Sequence, residues 1–118
     1  ALRKGSLVFL SSRIGTGFDI LTLRERAERI FPYTHILLPS LKGLEQVLAE
    51  AGFQILETIT PGNYDFSRVL ANKESIRQDD YFLRYMFDEC SGVNLEEFQR
   101  FLQKNRLSSY AQVIAQKL

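Results

Sequence analysis

Residues 39–62, PSLKGLEQVLAEAGFQILETITPG, decide the fold: they read as one amphipathic helix, a glycine stop, one strand and a Pro-Gly exit. Ser40 is placed to cap the helix through its hydroxyl. Leu41, Leu44, Val47, Leu48 and Ala51 recur at the spacing of one helical face, with Lys42, Glu45, Gln46 and Glu50 opposite. Gly52 ends the helix, because glycine takes the left-handed conformation there without a Cβ penalty. Residues 53–60 carry β-branched and aromatic side chains at both parities, which predicts a strand covered on two sides until Pro61 and Gly62 break the ladder. A helix packed on the strand it feeds is a unit of an α/β layer protein.

Upstream, Leu7, Val8, Phe9 and Leu10 form an apolar run without alternation, the pattern of a strand buried on both faces. Residues 12–19, SRIGTGFD, supply a loop at the C-terminal end of that strand, where open α/β sheets usually bind ligands. Residues 20–30 read as a short, charged, exposed helix closed by Pro32, and residues 33–39 as a connector. Downstream, Asn63 and Asp65 read as turn or cap residues, followed by a short helical face of Phe66, Val69 and Leu70. Asp79 or Asp80 caps a further helix whose Phe82, Leu83, Met86, Phe87 and Cys90 share one stripe, stopped by Gly92. Asn94 with Glu97 predicts a capping box for a helix burying Leu95, Phe98 and Leu102. Residues 108–118, SSYAQVIAQKL, close the chain as a strand, with helix as the alternative.

A chain of 118 residues fits one small domain. Its net charge of +1, with both signs interspersed, gives no basic stripe for nucleic acid and no charged face for a membrane surface. No apolar run approaches the roughly 20 residues of a membrane span, and the run at residues 7–10 is too short for a signal peptide. The single Cys90 cannot form an internal disulfide, which predicts a reducing, cytoplasmic setting. The chain opens on Ala1 and its one methionine is Met86, so it reads as a piece of a longer translated protein, with initiator removal as the other explanation. The unpaired edge of so apolar a first strand points the same way, to a covering partner from further chain or a second copy.

Gly15 and Gly17 after a strand invite a nucleotide-loop reading, but Ile20 stands where GxGxxG needs its third glycine, and an ordinary loop is the default. Arg13 and Asp19 flank that loop, which makes it a substrate-facing candidate. His35 is the sole histidine; either Tyr33 and Thr34 satisfy it structurally, or it polarises a substrate hydroxyl and takes its proton. One His and one Cys far apart cannot make a four-ligand metal site. Cys90 on an apolar stripe reads as core, and the absence of GxSxG argues against a nucleophile elbow. The stripe of Phe82, Met86 and Phe87 reads as core packing, with a partner-binding face as the alternative.

The order of these segments resembles a known family. LRKGSLVFLSSR (2–13) resembles the leucine, basic, glycine, strand segment late in class I S-adenosylmethionine-dependent methyltransferases. HILLPSLKGLEQVLAEAGFQILE (35–57) resembles the histidine, helix and AGF-strand signature that follows it. The likeness covers nearly the whole chain to SSYAQVIAQKL, with a helical insert at about 63–107. It implies the C-terminal part of one methyltransferase domain with a partial Rossmann-like sheet. The three strands should then run first-last-middle, the last antiparallel, with residues 109–117 between residues 7–11 and 53–60.

The resemblance further implies transfer of a methyl group to a small-molecule acceptor. Its cofactor, S-adenosylmethionine, would be bound by an N-terminal half upstream of Ala1, so no cofactor and no activity are expected of these residues alone. Arg13, Gly15, Gly17, Phe18, Asp19 and Tyr33 would line the acceptor side, where Arg13 either orients an anionic acceptor or forms a structural ion pair, with His35 as the catalytic candidate. The expected partners are the missing N-terminal half or, through the first-strand edge, a second copy. A non-catalytic interaction or dimerisation module is the competing reading.

Overall fold

In the computed structural model, described for residues 2–27, 38–89 and 94–118, the chain begins with strand β1 (Leu7–Arg13) and ends with strand β3 (Tyr110–Lys117). Between them lie α1 (Phe18–Leu23), α2 (Leu41–Glu50), β2 (Phe53–Ile59), α3 (Asp65–Ala71), α4 (Tyr81–Asp88) and α5 (Leu95–Lys104), with 3-10 turns at Arg24–Arg26 and Lys73–Ser75. Three strands form one sheet in the order β1-β3-β2, and β3 is antiparallel to both neighbours. Hence β1 and β2 run parallel to each other, and their C-terminal ends meet the start of β3 at one rim of the sheet.

The helix and strand of residues 39–62 form for the reasons their sequence suggests. Ser40 Oγ accepts from Gly43 N at 2.9 Å, and Gly52, at φ 89°, reverses the chain into β2. Helix α2 lies over one face of the sheet. Leu41, with Leu44 beside it, packs on Ile14 and Ala111, while Thr58 Oγ1 donates to Glu45 Oε2 at 3.1 Å. On that face Ala111, Val113 and Ala115 are all buried. Val47 and Ala51, expected on the same helical face, are exposed, because a helix of ten residues over a narrow sheet reaches it with only part of its circumference.

Among the described residues the strands are not covered on both sides, contrary to the expectation from their apolar runs. Registered pairs put Leu7, Phe9, Ser11 and Arg13 beside Gln116, Ile114, Gln112 and Tyr110 on the second face. There Phe9 is 72% exposed, and Leu7, Leu56 and Ile59 are exposed as well. A bulge between Ile55 and Glu57 shifts the parity of β2. It keeps Glu57 in solvent, opposite Ile114, and returns Thr58 to the covered side opposite Val113.

Helices α1, α3, α4 and α5 build a second core of Ile20, Leu23, Phe66, Val69, Met86 and Phe87. Phe66 is its hub, with ring centroids 5.0 Å from Phe87 and 4.7 Å from Phe98. Helix α1 therefore departs from the exposed helix expected at residues 20–30. It starts at Phe18, buries Ile20 and Leu23, and stops where Arg24 takes φ 57°. The stripe on α4 also divides: Met86 and Phe87 are core, whereas Phe82 is 75% exposed. Leu95 is likewise exposed, although Asn94 Oδ1 caps α5 through Glu97 N at 3.0 Å as its sequence suggests. Asp80 is the N-cap residue of α4 but makes no side-chain cap bond. Pro32, Tyr33, Thr34, His35, Cys90 and Gly92 lie outside the described residues.

Candidate functional site

The loop after β1 is held by its backbone. Gly15 N donates to Pro39 O at 2.8 Å and Ile14 N to Ser109 O at 2.9 Å, which ties the end of β1 to the start of α2 and to the entry of β3. Phe18 N donates to Leu107 O at 2.7 Å, and Gly17 lies directly against the backbone of Ser109, where any Cβ would collide. Gly17 thus serves close packing of α1 on the β3 entry, and Gly15 close packing against Leu38 and Pro39 before α2. Phe18 is a core residue stacked with Phe66 and edge-on to Phe98 at 5.2 Å.

Behind this loop sits a buried polar hub that the sequence reading did not identify. Asp65, at the start of α3, is 1% exposed and accepts from Ser108 Oγ and Ser109 N, each at 2.7 Å, and from Gln99 Nε2 at 2.9 Å. Gln99 also donates to Gly62 O at 2.7 Å and accepts from Phe66 N at 2.9 Å, so one side chain joins the exit of β2, α3 and α5. Gln103 Nε2 adds a bond to Gly62 O at 2.8 Å and one to Asn63 Oδ1 at 2.9 Å. Gly62 is glycine because Ser108 Oγ fills the space where its Cβ would stand.

Asp19, also 1% exposed, forms the second acidic member of the hub, accepting from Ile20 N at 2.9 Å and pairing with Arg68 Nη1 at 3.2 Å. Burial and then the charge of Asp65 raise its pKa, against the opposing pull of Ser109 and Arg68. Burial pushes Asp65 upward too, but its bonds from Ser108, Gln99 and Ser109 outweigh that and hold its carboxyl below the ordinary value. Ser109 Oγ is buried without a hydrogen bond of ordinary geometry, yet lies close enough to both carboxylates to favour their ionised forms. Two neighbouring aspartates thus shift in opposite directions: burial and its neighbour's charge prevail at Asp19, the hydrogen-bond donors at Asp65.

Above the hub a cavity of about 330 Å³ opens at the C-terminal ends of β1 and β2. Arg13, Asn63, Tyr64, Arg68 and Tyr110 line it, with Asp65 and Ser109 below. Arg68 is set by Asp19 and lies over the Tyr64 ring at 5.9 Å. Hydrogen bonds from Ser11 and Gln112 draw the Tyr110 phenol below its usual pKa. Of the candidates from sequence, Arg13 faces this cavity, Asp19 anchors it from behind, and Gly15, Gly17 and Phe18 act in packing. Tyr33 and His35 are outside the described residues. A larger cavity of about 590 Å³ lies away from the strand ends between the two 3-10 turns, where Arg24, Arg26 and Arg77 are balanced by Glu25, Glu74 and Asp79.

Asp65, Gln99, Ser108 and Ser109 were the omissions. The signal for Asp65 and the serines is the placement of NYD immediately after the Pro-Gly exit of β2 and of a double serine before β3, polar residues at a rim where two strands end; Gln99, inside α5, carries none. Among the described residues no group of three or more His, Cys, Asp and Glu could hold a metal ion, and no helix is long and apolar enough to cross a membrane. No protein-family model, no curated protein and no solved structure matches the chain.

Proposed function

We propose that this chain is the acceptor-side, C-terminal part of a class I, Rossmann-like S-adenosylmethionine-dependent methyltransferase domain acting on a small molecule. The observation that carries the reading is the direction of β3: a final antiparallel strand seated between two mutually parallel strands. That is the arrangement implied by the sequence resemblance, and the cavity at the ends of β1 and β2 stands where α/β sheets bind ligands. The chain's own share of the reaction is to bind and orient the acceptor at that rim, with His35 as the group that takes its proton.

The glycine loop present here does not fit the cofactor. Gly15 N is spent on Pro39 O, and Gly17 is pressed against Ser109, so neither offers a backbone cradle. Cofactor binding is therefore assigned to polypeptide preceding residue 1. Calorimetry with S-adenosylmethionine tests this on two proteins, the 118-residue chain and the same chain joined to the segment encoded before it. Binding is expected of the longer protein alone. Absence of binding by the longer protein rejects the methyltransferase reading, and binding by the shorter one rejects the assignment of the cofactor to the missing half.

The second reading, a module that associates through β1, is favoured by the exposed Phe9 and Leu7 beside a strand edge that no described residue pairs with. Light scattering decides it: a monomer at high concentration removes its support.

A further inference from the structure

The cavity at the strand ends narrows the class of acceptor, an inference that rests on the acceptor-side reading above. Two arginines line it from separate elements, Arg13 from the last position of β1, with its Nη1 buried, and Arg68 from α3. The acidic groups beneath them are turned inward and engaged. Asp65 Oδ1 accepts from Ser109 N, and its Oδ2 from Ser108 Oγ and Gln99 Nε2. Asp19 Oδ1 accepts from Ile20 N and Oδ2 from Arg68 Nη1. Both aspartates are 1% exposed, so a molecule entering the cavity meets N–H donors rather than carboxylate oxygens.

The donors are also positioned in advance. Asp19 engages Arg68 through Nη1, and the guanidinium carbon lies 5.9 Å from the Tyr64 ring centroid, which holds the side chain without using all five of its N–H groups. Asn63 Oδ1 accepts from Gln103 Nε2, which leaves its amide nitrogen as the other polar end on the same wall. Tyr110 stands directly across from Arg13 in the β1–β3 register and offers a ring beside the charge. A volume of about 330 Å³ admits a small aromatic or aliphatic acid.

We propose that this cavity binds an oxyanion of the methyl acceptor, a carboxylate or a phosphate, between the guanidinium groups of Arg13 and Arg68. Arginine pairs suit either group because the planar fork matches two oxygens at once. The ring or chain that bears the anion then lies along Tyr64 and Tyr110.

The test titrates the 118-residue chain, without S-adenosylmethionine, with benzoate, phenyl phosphate and neutral benzamide at low ionic strength, by calorimetry and amide NMR. Saturable binding of one or both anions is expected, with benzamide weaker by about tenfold or more, added salt weakening the anions, and Arg13→Gln lowering their affinity by about tenfold. Preference between benzoate and phenyl phosphate identifies the acceptor's group as carboxylate or phosphate. Equal binding of all three, binding of none, or anion binding indifferent to Arg13→Gln overturns the proposal. Should Arg13→Gln lower the urea midpoint, the unsubstituted chain decides: anion-induced shifts belong at the amides of Arg13, Tyr64 and Tyr110, and shifts confined elsewhere overturn the site. Because no cofactor is present, failure here leaves the methyltransferase reading standing, and failure of cofactor binding by the longer protein leaves the anion site standing.

Discussion

The two faces of the sheet are built from the same three strands and have opposite fates. On one, Ala111, Val113 and Ala115 are buried, Ala111 against Leu41 of α2, and beyond the strand ends that side runs on into the hub of Asp65, Ser108, Ser109 and Gln99. On the other, Phe9 and Leu7 stand in solvent among the described residues, and that side runs on into the cavity lined by Arg13 and Tyr110. The contrast teaches where each kind of residue is being used. The covered face holds the chain together, while the bare face presents apolar side chains to solvent among the described residues and ends at a cavity lined by cationic ones.

The largest effect is expected at the hub. Asp65→Asn retains the size of the side chain but replaces an acceptor of Ser108, Ser109 and Gln99 by a group that must turn a donor toward at least one of them. Losing a buried, charge-assisted network of this kind costs about 3 kcal/mol or more, read as a fall in the urea midpoint. A loss below about 1 kcal/mol would break the claim that the covered side continues into the hub. Next comes Val113→Ala on the covered face. Two buried carbons at about 0.8 kcal/mol each, with a residual cavity, give about 2 kcal/mol.

Asp19 provides a sharper comparison with Asp65, since the two are equally buried but shifted oppositely. Asp65 has a folded-state pKa below its ordinary 3.8, so the stability it contributes is present above 3.8 and is lost as pH falls through the folded value. Asp19 has a folded-state pKa above 3.8. Its favourable contribution is complete below 3.8 and is lost as pH rises through the folded value. Urea midpoints followed across the acid range should therefore lose their acid limb in Asp65→Asn and keep it in Asp19→Asn. At neutral pH Asp19→Asn should cost about 1 kcal/mol or less, because removing a disfavoured charge offsets the lost contact with Arg68.

The scaffold was legible in the sequence where local chemistry acts alone. Ser40, Gly52 and Asn94 do at their positions what their types do in any helix end, and the apolar runs at residues 7–10 and 53–60 are strands. What was not legible depends on partners distant in the chain. Asp65 looks like a cap until Ser108 and Ser109, more than forty positions on, arrive at its oxygens. Gly15 and Gly17 look like a ligand loop until Leu38 and Ser109 fill the space beside them and Pro39 O takes the Gly15 N–H. The exposed face was hidden for another reason: a run apolar at both parities states that both faces are suited to burial, without saying which of them this chain covers.

That last ambiguity yields the smallest effect and the most informative one. Phe9→Ser replaces the most exposed large apolar side chain of the sheet, at 72% exposure, with its neighbours Leu7 and Ile114 on the same face. In the 118-residue chain the side chain has little burial to lose, and the change belongs with surface substitutions, within about 0.5 kcal/mol of zero. In the longer protein that the proposed function calls for, the same substitution is expected to cost about 2 kcal/mol or more, since a phenylalanine buried at a domain seam contributes on the scale of a core residue. Urea midpoints of the four proteins give the difference directly, with the surface coupling cancelled by the shorter pair. An equal, near-zero cost in both contexts would mean that the bare face stays bare in the longer protein. The contrast between the two faces would then be a property of the finished domain, and the open face would be left to a separate partner.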